Sequence, residues 1–228
     1  MLNLYQKIAV LALPILFAIT VHEAAHGWMA KLLGDRTAEM LGRVTLNPLK
    51  HIDPIGTVLV PLVVFFASGF VFGWAKPVPV NYRNLRNPRR DSALVALAGP
   101  GANLLMAIIW ALAILLGAAL IDSAQWFAVP LMLMGVAGVL FNAVLMALNL
   151  LPILPLDGGR VIASLLPPKM AQVYSRLEGF GLIIVVLLLV SGLLGYVLWP
   201  LVQLTIDALP ATDIVLHYVP VILSPSRS

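Results

Sequence analysis

Four long apolar segments divide this chain, and each is long enough to cross a lipid bilayer. A helix needs about 20 predominantly apolar residues to span the hydrocarbon core. The four segments cover residues 6–31, 92–121, 127–151 and 180–206. A fifth apolar stretch, 53–73, is interrupted by prolines and glycines, which disfavour one straight helix. The pattern predicts an all-α polytopic membrane protein with about four to five transmembrane helices.

Basic residues are concentrated in the polar stretches between these segments. Residues 31–50 contain four Lys or Arg residues, and residues 74–91 contain five. By the positive-inside rule, both stretches are expected to face the cytoplasm. A segment whose two flanks lie on the same side cannot cross the membrane once. We therefore expect 53–73 to be a re-entrant or broken segment, with a true fifth span as the alternative.

The composition agrees with a membrane-embedded chain. Charged residues make up 11% of the 228 residues, whereas soluble domains carry about 25%. The absence of cysteine excludes disulfides, thiolate metal ligands and cysteine nucleophiles. The net charge of +4 is explained by basic loops that face anionic lipid headgroups, so no nucleic-acid partner is predicted. The chain is expected to form a single domain over residues 1–228.

The first apolar segment contains a candidate metal site. Its sequence there is His22-Glu23-Ala24-Ala25-His26. Residues four apart lie on the same face of a helix, with about 5–6 Å between their Cβ atoms. Two imidazoles at that spacing can bind one zinc ion, and Glu23 lies one residue after the first of them, beside the metal. The structural alternative is a pair of hydrogen-bonded histidines between packed helices.

A second group of polar residues follows the third span and is predicted to lie at the same depth as the histidines. Asp157 would add a carboxylate to the two imidazoles, which gives three protein ligands and an open fourth position. Because aspartate also favours the N-cap of a helix, a capping role remains open. For Asn149, a substrate contact and a hydrogen bond at a helix end are both open.

Three motifs, taken in order, resemble those of the site-2 protease family of intramembrane zinc metalloproteases. They are His22-Glu23-x-x-His26, Gly99-Pro100-Gly101-Ala102-Asn103 and Asn149-x-x-Pro152-x-x-x-x-Asp157-Gly158. The stretches 42–48 and 73–77 are similar to the compact bacterial and archaeal branch, which has no PDZ or CBS module. The resemblance implies that His22, His26 and Asp157 bind one zinc ion. It also implies that Glu23 is the catalytic base and that Asn149 helps to position substrate.

The resemblance extends the prediction to the whole protein. It implies hydrolysis of peptide bonds within or next to transmembrane segments, in membrane protein substrates that have a single transmembrane helix. We expect a multi-pass protein of a prokaryotic cytoplasmic membrane, with lipid as a partner and the active site towards the cytoplasmic side. The catalytic core is expected at about 6–165, followed by an accessory helix and tail at 166–228.

Two further regions are candidates for contact with substrate. A short cytoplasmic β-strand or hairpin is predicted near 42–48, where Arg43, Val44, Thr45 and Leu46 could bind an extended substrate by edge pairing. The segment 53–73 would form a movable wall beside it. Asn103 is another candidate, although helix packing is the default interpretation of its glycine-rich motif.

Two other functions are compatible with polar residues inside a membrane. A metal-ion transporter also places His and Asp in its spans, but it commonly shows repeated halves, and no internal repeat is evident here. A non-catalytic binder of client transmembrane helices would not need a base beside the metal ligands. The variant Glu23→Gln distinguishes these readings, because a protease should keep zinc and lose cleavage.

Overall fold

The computed structural model describes residues 2–53, 56, 59 and 76–223 of the chain. The long regular elements in this part are all helices, which confirms the all-α fold class. In chain order they are α1 (Leu4–Leu32), α2 (Thr37–Met40), α3 (Pro88–Ala119), α4 (Gln125–Asn149), α5 (Asp157–Leu165), α6 (Pro168–Ser175), α7 (Glu178–Val190), α8 (Leu193–Asp207) and α9 (Thr212–Leu223). Short 3-10 helices occur at Pro48–His51 and Tyr82–Asn84.

Three of these helices, α1, α3 and α4, are long and apolar enough to cross a membrane. They coincide with the first three predicted spans. Helix α4 lies at the centre: 61% of its apolar window is buried, against 33% in α1 and 28% in α3. Glycines allow the close approach of α3 to α4, because the ring of Trp110 occupies the space where Gly138 would carry a Cβ.

The fourth predicted span, 180–206, is not one continuous helix, so that prediction is wrong. Helix α7 ends before Ser191, and α8 begins after Gly192, whose φ of +77° is a left-handed conformation. Glycine adopts that conformation without the steric cost that a Cβ imposes. Helices α6 and α7 are bent by 58° and pass the length and apolarity test as a pair. The described residues thus hold three candidate spans, or four if this pair counts as one.

The predicted strand near 42–48 is also wrong. Residues 44–46 form bends, and no strand occurs among the residues that the structure describes. Gly42 turns the chain with a φ of +63°, and the Thr45 carbonyl oxygen lies 3.0 Å from the His51 ring nitrogen Nε2. The β-propensity of Val44 and Thr45 has no effect without a partner strand to pair with. The segment 53–73, apart from Asp53, Gly56 and Leu59, lies outside the described residues, and its re-entrant form stays a prediction.

A buried carboxylate fixes the loop that follows α1. Asp35 is 0% exposed and accepts hydrogen bonds from the backbone amides of Thr37 (3.1 Å) and Asn81 (2.7 Å) and from the side-chain amide of Asn84 (3.0 Å). Burial alone would raise the pKa of Asp35, but these hydrogen bonds outweigh it and hold the pKa below its usual value. Asp35 therefore joins the end of α1 to the segment that precedes α3.

This shift predicts a pH-dependent contribution to stability. At neutral pH, Asp35→Asn is expected to lower the free energy of unfolding by about 1–3 kcal/mol, because the amide offers one acceptor oxygen instead of two. A lowered pKa in the folded state stabilises the protein above the ordinary value of 3.8 and is lost as the pH falls through the folded pKa. Thermal unfolding of both proteins in detergent, from pH 7 to pH 3, checks this. A gap in Tm that widens on acidification would contradict it.

Candidate metal centre

The structure brings the two histidines of α1 and the first residue of α5 together. The Nε2 atoms of His22 and His26 are 3.1 Å apart, and each lies 3.4 Å from Oδ2 of Asp157. Tetrahedral zinc with Zn–N and Zn–O distances near 2.0–2.2 Å requires ligand atoms about 3.3–3.5 Å apart. The two Nε2–Oδ2 separations match this range and the Nε2–Nε2 separation is slightly shorter, so the three atoms lie close to the corners of one tetrahedral site, with a fourth corner left for water.

The carboxylate of Asp157 needs a cationic partner. Asp157 is 8% exposed, and its Oδ2 is buried without a hydrogen-bond partner among the described residues. A carboxylate binds metals in its ionised form. A buried carboxylate with an unpaired oxygen fits a zinc ligand.

Hydrogen bonds orient both imidazole rings. Nδ1 of His22 lies 2.6 Å from Oδ1 of Asn103, and Nδ1 of His26 lies 2.7 Å from the Val95 carbonyl oxygen. Both partners are acceptors, so each Nδ1 carries the proton and donates it. Each Nε2 is left unprotonated and able to bind a metal, as is usual when a second hydrogen bond orients a metal-binding histidine.

Asn103 is held in place on its other side. Its amide nitrogen donates to Oδ1 of Asn142 (2.9 Å) and to the Ala18 carbonyl oxygen (3.1 Å), which directs Oδ1 towards His22. Both asparagines are 0% exposed. This placement favours the structural role considered for Asn103 over a direct substrate contact. The carboxamide network crosses three helices, and spacing along the sequence could not reveal it.

Gly99 allows α3 to pack directly on the two histidine rings. A Cβ built at Gly99 would come to 2.5 Å from Cε1 of both His22 and His26. The sequence indicated small residues for helix packing here but not this contact. Gly101, two residues further along the same helix, has nothing within 4 Å of its Cβ position.

Gly99→Ala is therefore expected to displace the histidines. The added methyl group should cost about 1–3 kcal/mol of stability through overpacking and lower zinc affinity by about tenfold or more. The matched control is Gly101→Ala, which should retain zinc and gain slightly in stability because alanine favours the helix. Zinc content and thermal unfolding of both variants check this, and equal zinc affinity in the two would contradict it.

Helix α5, which carries Asp157, is fixed at its C-terminal end by Arg89. Asp157 is its first helical residue and Leu156 is the N-cap, so the capping role considered for Asp157 is not observed. At the other end, the guanidinium of Arg89 donates to three carbonyl oxygens at 2.6–2.9 Å. These belong to Ser164, Leu165 and Leu166. Cations stabilise helix C-termini in this way, but the sequence showed Arg89 only as one of several basic loop residues.

The other predicted site residues make hydrogen bonds to backbone groups. Glu23 is half-buried, and its Oε2 accepts a hydrogen bond from the Val78 amide at 2.8 Å. Asn149 is the last residue of α4 and donates to the Leu145 carbonyl oxygen at 2.9 Å, as expected for a helix-end residue. Arg43 is buried and donates to the carbonyl oxygens of Lys76 (2.8 Å) and Pro77 (3.4 Å).

A groove separates α1 from the bends at 44–46. It has a volume of about 340 Å³ and is lined by Val44, Thr45 and Leu46 on one side. On the other side it is lined by Val21, Ala24, Ala25 and Trp28 of α1. Contact of the segment 43–46 with substrate stays a prediction, now without the strand that was expected to provide it.

Comparison with known proteins gives consistent matches. Residues 10–192 match the model of Peptidase family M50. The chain is 39% identical over 200 residues to "Putative zinc metalloprotease YwhC" of Bacillus subtilis, a match that covers 87% of this chain and 88% of that protein. It is 32% identical over 185 residues to "Putative zinc metalloprotease Rip2" of Mycolicibacterium smegmatis, covering 79% of this chain and 66% of the relative. No solved structure matches the chain.

Proposed function

This chain belongs to peptidase family M50, the site-2 protease family, and is a zinc metalloprotease of the membrane; we propose that it cleaves peptide bonds within or next to the transmembrane segments of other membrane proteins. The proposal extends to substrates with a single transmembrane helix. The observation that carries it is the placement of three ligand atoms, from His22, His26 and Asp157, at the separations that one zinc ion requires.

Glu23 is proposed as the general base and acid of the reaction. A bound zinc ion supplies a Lewis acid and lowers the pKa of its water to about 7. Glu23 follows His22 on the same turn of α1 and is half-buried, so water can reach its carboxylate. Its Oε2 accepts a hydrogen bond from the Val78 amide, and its Oε1, which has no hydrogen-bond partner among the described residues, would accept the proton of the attacking water. The protonated Glu23 then returns that proton to the leaving amine.

We also propose that the reaction takes place near the cytoplasmic face of a prokaryotic cytoplasmic membrane. His26 lies six residues before the end of α1, which is about 9 Å along the helix axis. The last turn of α1 contains Lys31, and the polar stretch that follows contains Arg36 and Arg43, as the positive-inside rule requires of the cytoplasmic side. Water enters such a site more easily than the bilayer midplane, and hydrolysis consumes water.

The test uses the purified full-length chain in detergent or liposomes, with a panel of single-span membrane proteins as substrates. We expect about one zinc ion per chain and zinc-dependent cleavage, with cut sites within or beside the substrate's transmembrane segment by mass spectrometry. Chelation should abolish cleavage, and added zinc should restore it. Wild-type protein without zinc, or cleavage confined to soluble peptides, would contradict the proposal.

A further inference from the structure

We propose that residues 76–81, here called the strap, hold the Glu23 carboxylate in position for proton transfer. We further propose that Arg43 and Asp35 are positioning residues that fix the two ends of the strap. The inference rests on the proposed function, because it assigns Glu23 a role in proton transfer. It explains two buried charged residues that the metal centre does not use.

The strap touches Glu23 through one backbone group. The Val78 amide donates to Oε2 of Glu23 at 2.8 Å. Val78 lies between two prolines, Pro77 and Pro79, which have no amide hydrogen and restrict the backbone around it. The Val78 side chain is buried against α1, where its Cγ1 lies 3.0 Å from the Cβ position of Gly27. Gly27 is four residues after Glu23, so the same helix face carries the carboxylate and seats the strap.

The first end of the strap is fixed by Arg43. This residue is 8% exposed, and its guanidinium donates to the carbonyl oxygens of Lys76 and Pro77. The Lys76 amide donates in turn to the His51 carbonyl oxygen at 2.9 Å. Arg43 therefore joins the loop after α2 to the strap at Lys76 and Pro77, and Pro77 directly precedes Val78.

The second end is fixed by Asp35. Its Oδ2 accepts the Asn81 amide at 2.7 Å, and its Oδ1 accepts the side-chain amide of Asn84. Asp35 lies in the loop directly after α1, three residues beyond the end of the helix that carries Glu23. A buried charged group is destabilising unless it is hydrogen-bonded. Arg43 and Asp35 make such hydrogen bonds at the two ends of the segment that contacts Glu23.

The consequence for catalysis is geometric. Proton transfer requires the base to be held within about 0.5 Å of its productive position. A half-buried glutamate on a helix has several rotamers, and the Val78 hydrogen bond selects one of them. Loosening the strap should thus slow the chemical step without weakening zinc or substrate binding.

Hydrogen exchange tests the contact itself. Within residues 76–80 only Lys76, Val78 and Val80 have exchangeable amides, so a short peptide reports on Val78 with little overlap. We expect the Val78 amide to exchange about tenfold faster in Glu23→Ala than in the wild type. The zinc-free protein can be used for this measurement. An unchanged Val78 exchange rate in Glu23→Ala would overturn the proposal.

Kinetics test the positioning role. Arg43→Met should lower kcat by about tenfold, at a temperature where the variant is folded, and leave KM and zinc content near wild type. Arg43→Lys, which can still donate to the Lys76 carbonyl, should recover part of the loss, and Asp35→Asn should reproduce it from the other end. The matched control is Arg36→Gln, an exposed arginine paired with Glu39 at the surface.

The outcomes separate this proposal from the proposed function. A raised KM with unchanged kcat in Arg43→Met would mean that Arg43 contacts substrate, and it would overturn the positioning role. So would a fall in kcat that follows loss of zinc, or an unchanged kcat in both anchor variants. If the zinc-loaded wild type cleaves no substrate, the proposed function fails, while the exchange of the Val78 amide still tests the contact.

Discussion

Glu23→Gln is expected to abolish proteolysis while leaving one zinc ion bound per chain. General acid–base catalysis typically contributes about 10²–10⁴-fold, and the loss in kcat should fall in that range or exceed it. Glutamine has the shape of glutamate and still accepts the Val78 hydrogen bond, but it cannot take up and return a proton. Zinc should remain bound because the candidate ligand atoms belong to His22, His26 and Asp157, and not to Glu23. Metal analysis and single-turnover cleavage of a single-span substrate check both parts.

Glu39→Gln provides the control for this variant. Glu39 of α2 is ion-paired with Lys31 at the end of α1 and with Arg36, and its replacement should leave cleavage intact. If Glu23→Gln retained activity, Glu23 would not be the base. If it lost zinc together with activity, Glu23 would be a ligand. If liposomes that contain the wild type or Glu23→Gln transported zinc, and neither protein cleaved substrate, the result would favour the metal-ion transporter.

The second large effect is expected for Asp157→Asn. Losing partners that only orient ligands costs about 10–100-fold in metal affinity, so losing a direct ligand should cost more than about 100-fold. Cleavage should disappear at zinc concentrations that saturate the wild type. The zinc-free variant should nevertheless be at least as stable as the zinc-free wild type, because the substitution removes a buried carboxylate with an unpaired oxygen.

The comparison of zinc-free proteins separates a ligand from a structural residue. A purely structural Asp157 would show lower Tm in the zinc-free Asp157→Asn protein and normal zinc binding once folded. Asp122→Asn is the control, since Asp122 is exposed in the turn between α3 and α4. Calorimetric zinc titration and thermal unfolding of the three proteins are the measurements.

Sequence patterns predict the parts of this fold that depend on local chemistry. Uninterrupted apolar runs predict α1, α3 and α4, because a bilayer requires long apolar helices whatever their packing. The four-residue spacing of His22 and His26 predicts a shared helix face, because residues four apart lie on the same side of a helix. Charge asymmetry indicated that Asp157 lies at their depth, the family resemblance implied that it is a ligand, and the structure brings the three side chains together.

The features that were missed depend on tertiary contacts or on single backbone angles. Hydropathy carries no information on the backbone conformation of Gly192, so the apolar run predicted one helix where the chain forms two. The β-propensity of Val44 and Thr45 predicted a strand, although pairing decides whether one forms. Arg89 and Gly99 act through elements distant in sequence, and the local pattern indicated only a basic loop residue and a small residue for helix packing.

The origin of the three ligand atoms has a consequence for biosynthesis. His22 and His26 enter the membrane with the first helix, but Asp157 follows only after two further long helices, α3 and α4. If these three residues bind zinc as proposed, a nascent or truncated chain that ends before α5 has an incomplete metal site and would not cleave its neighbours in the membrane. The order of the proposed ligands along the chain would then delay proteolytic activity until most of the protein has been inserted.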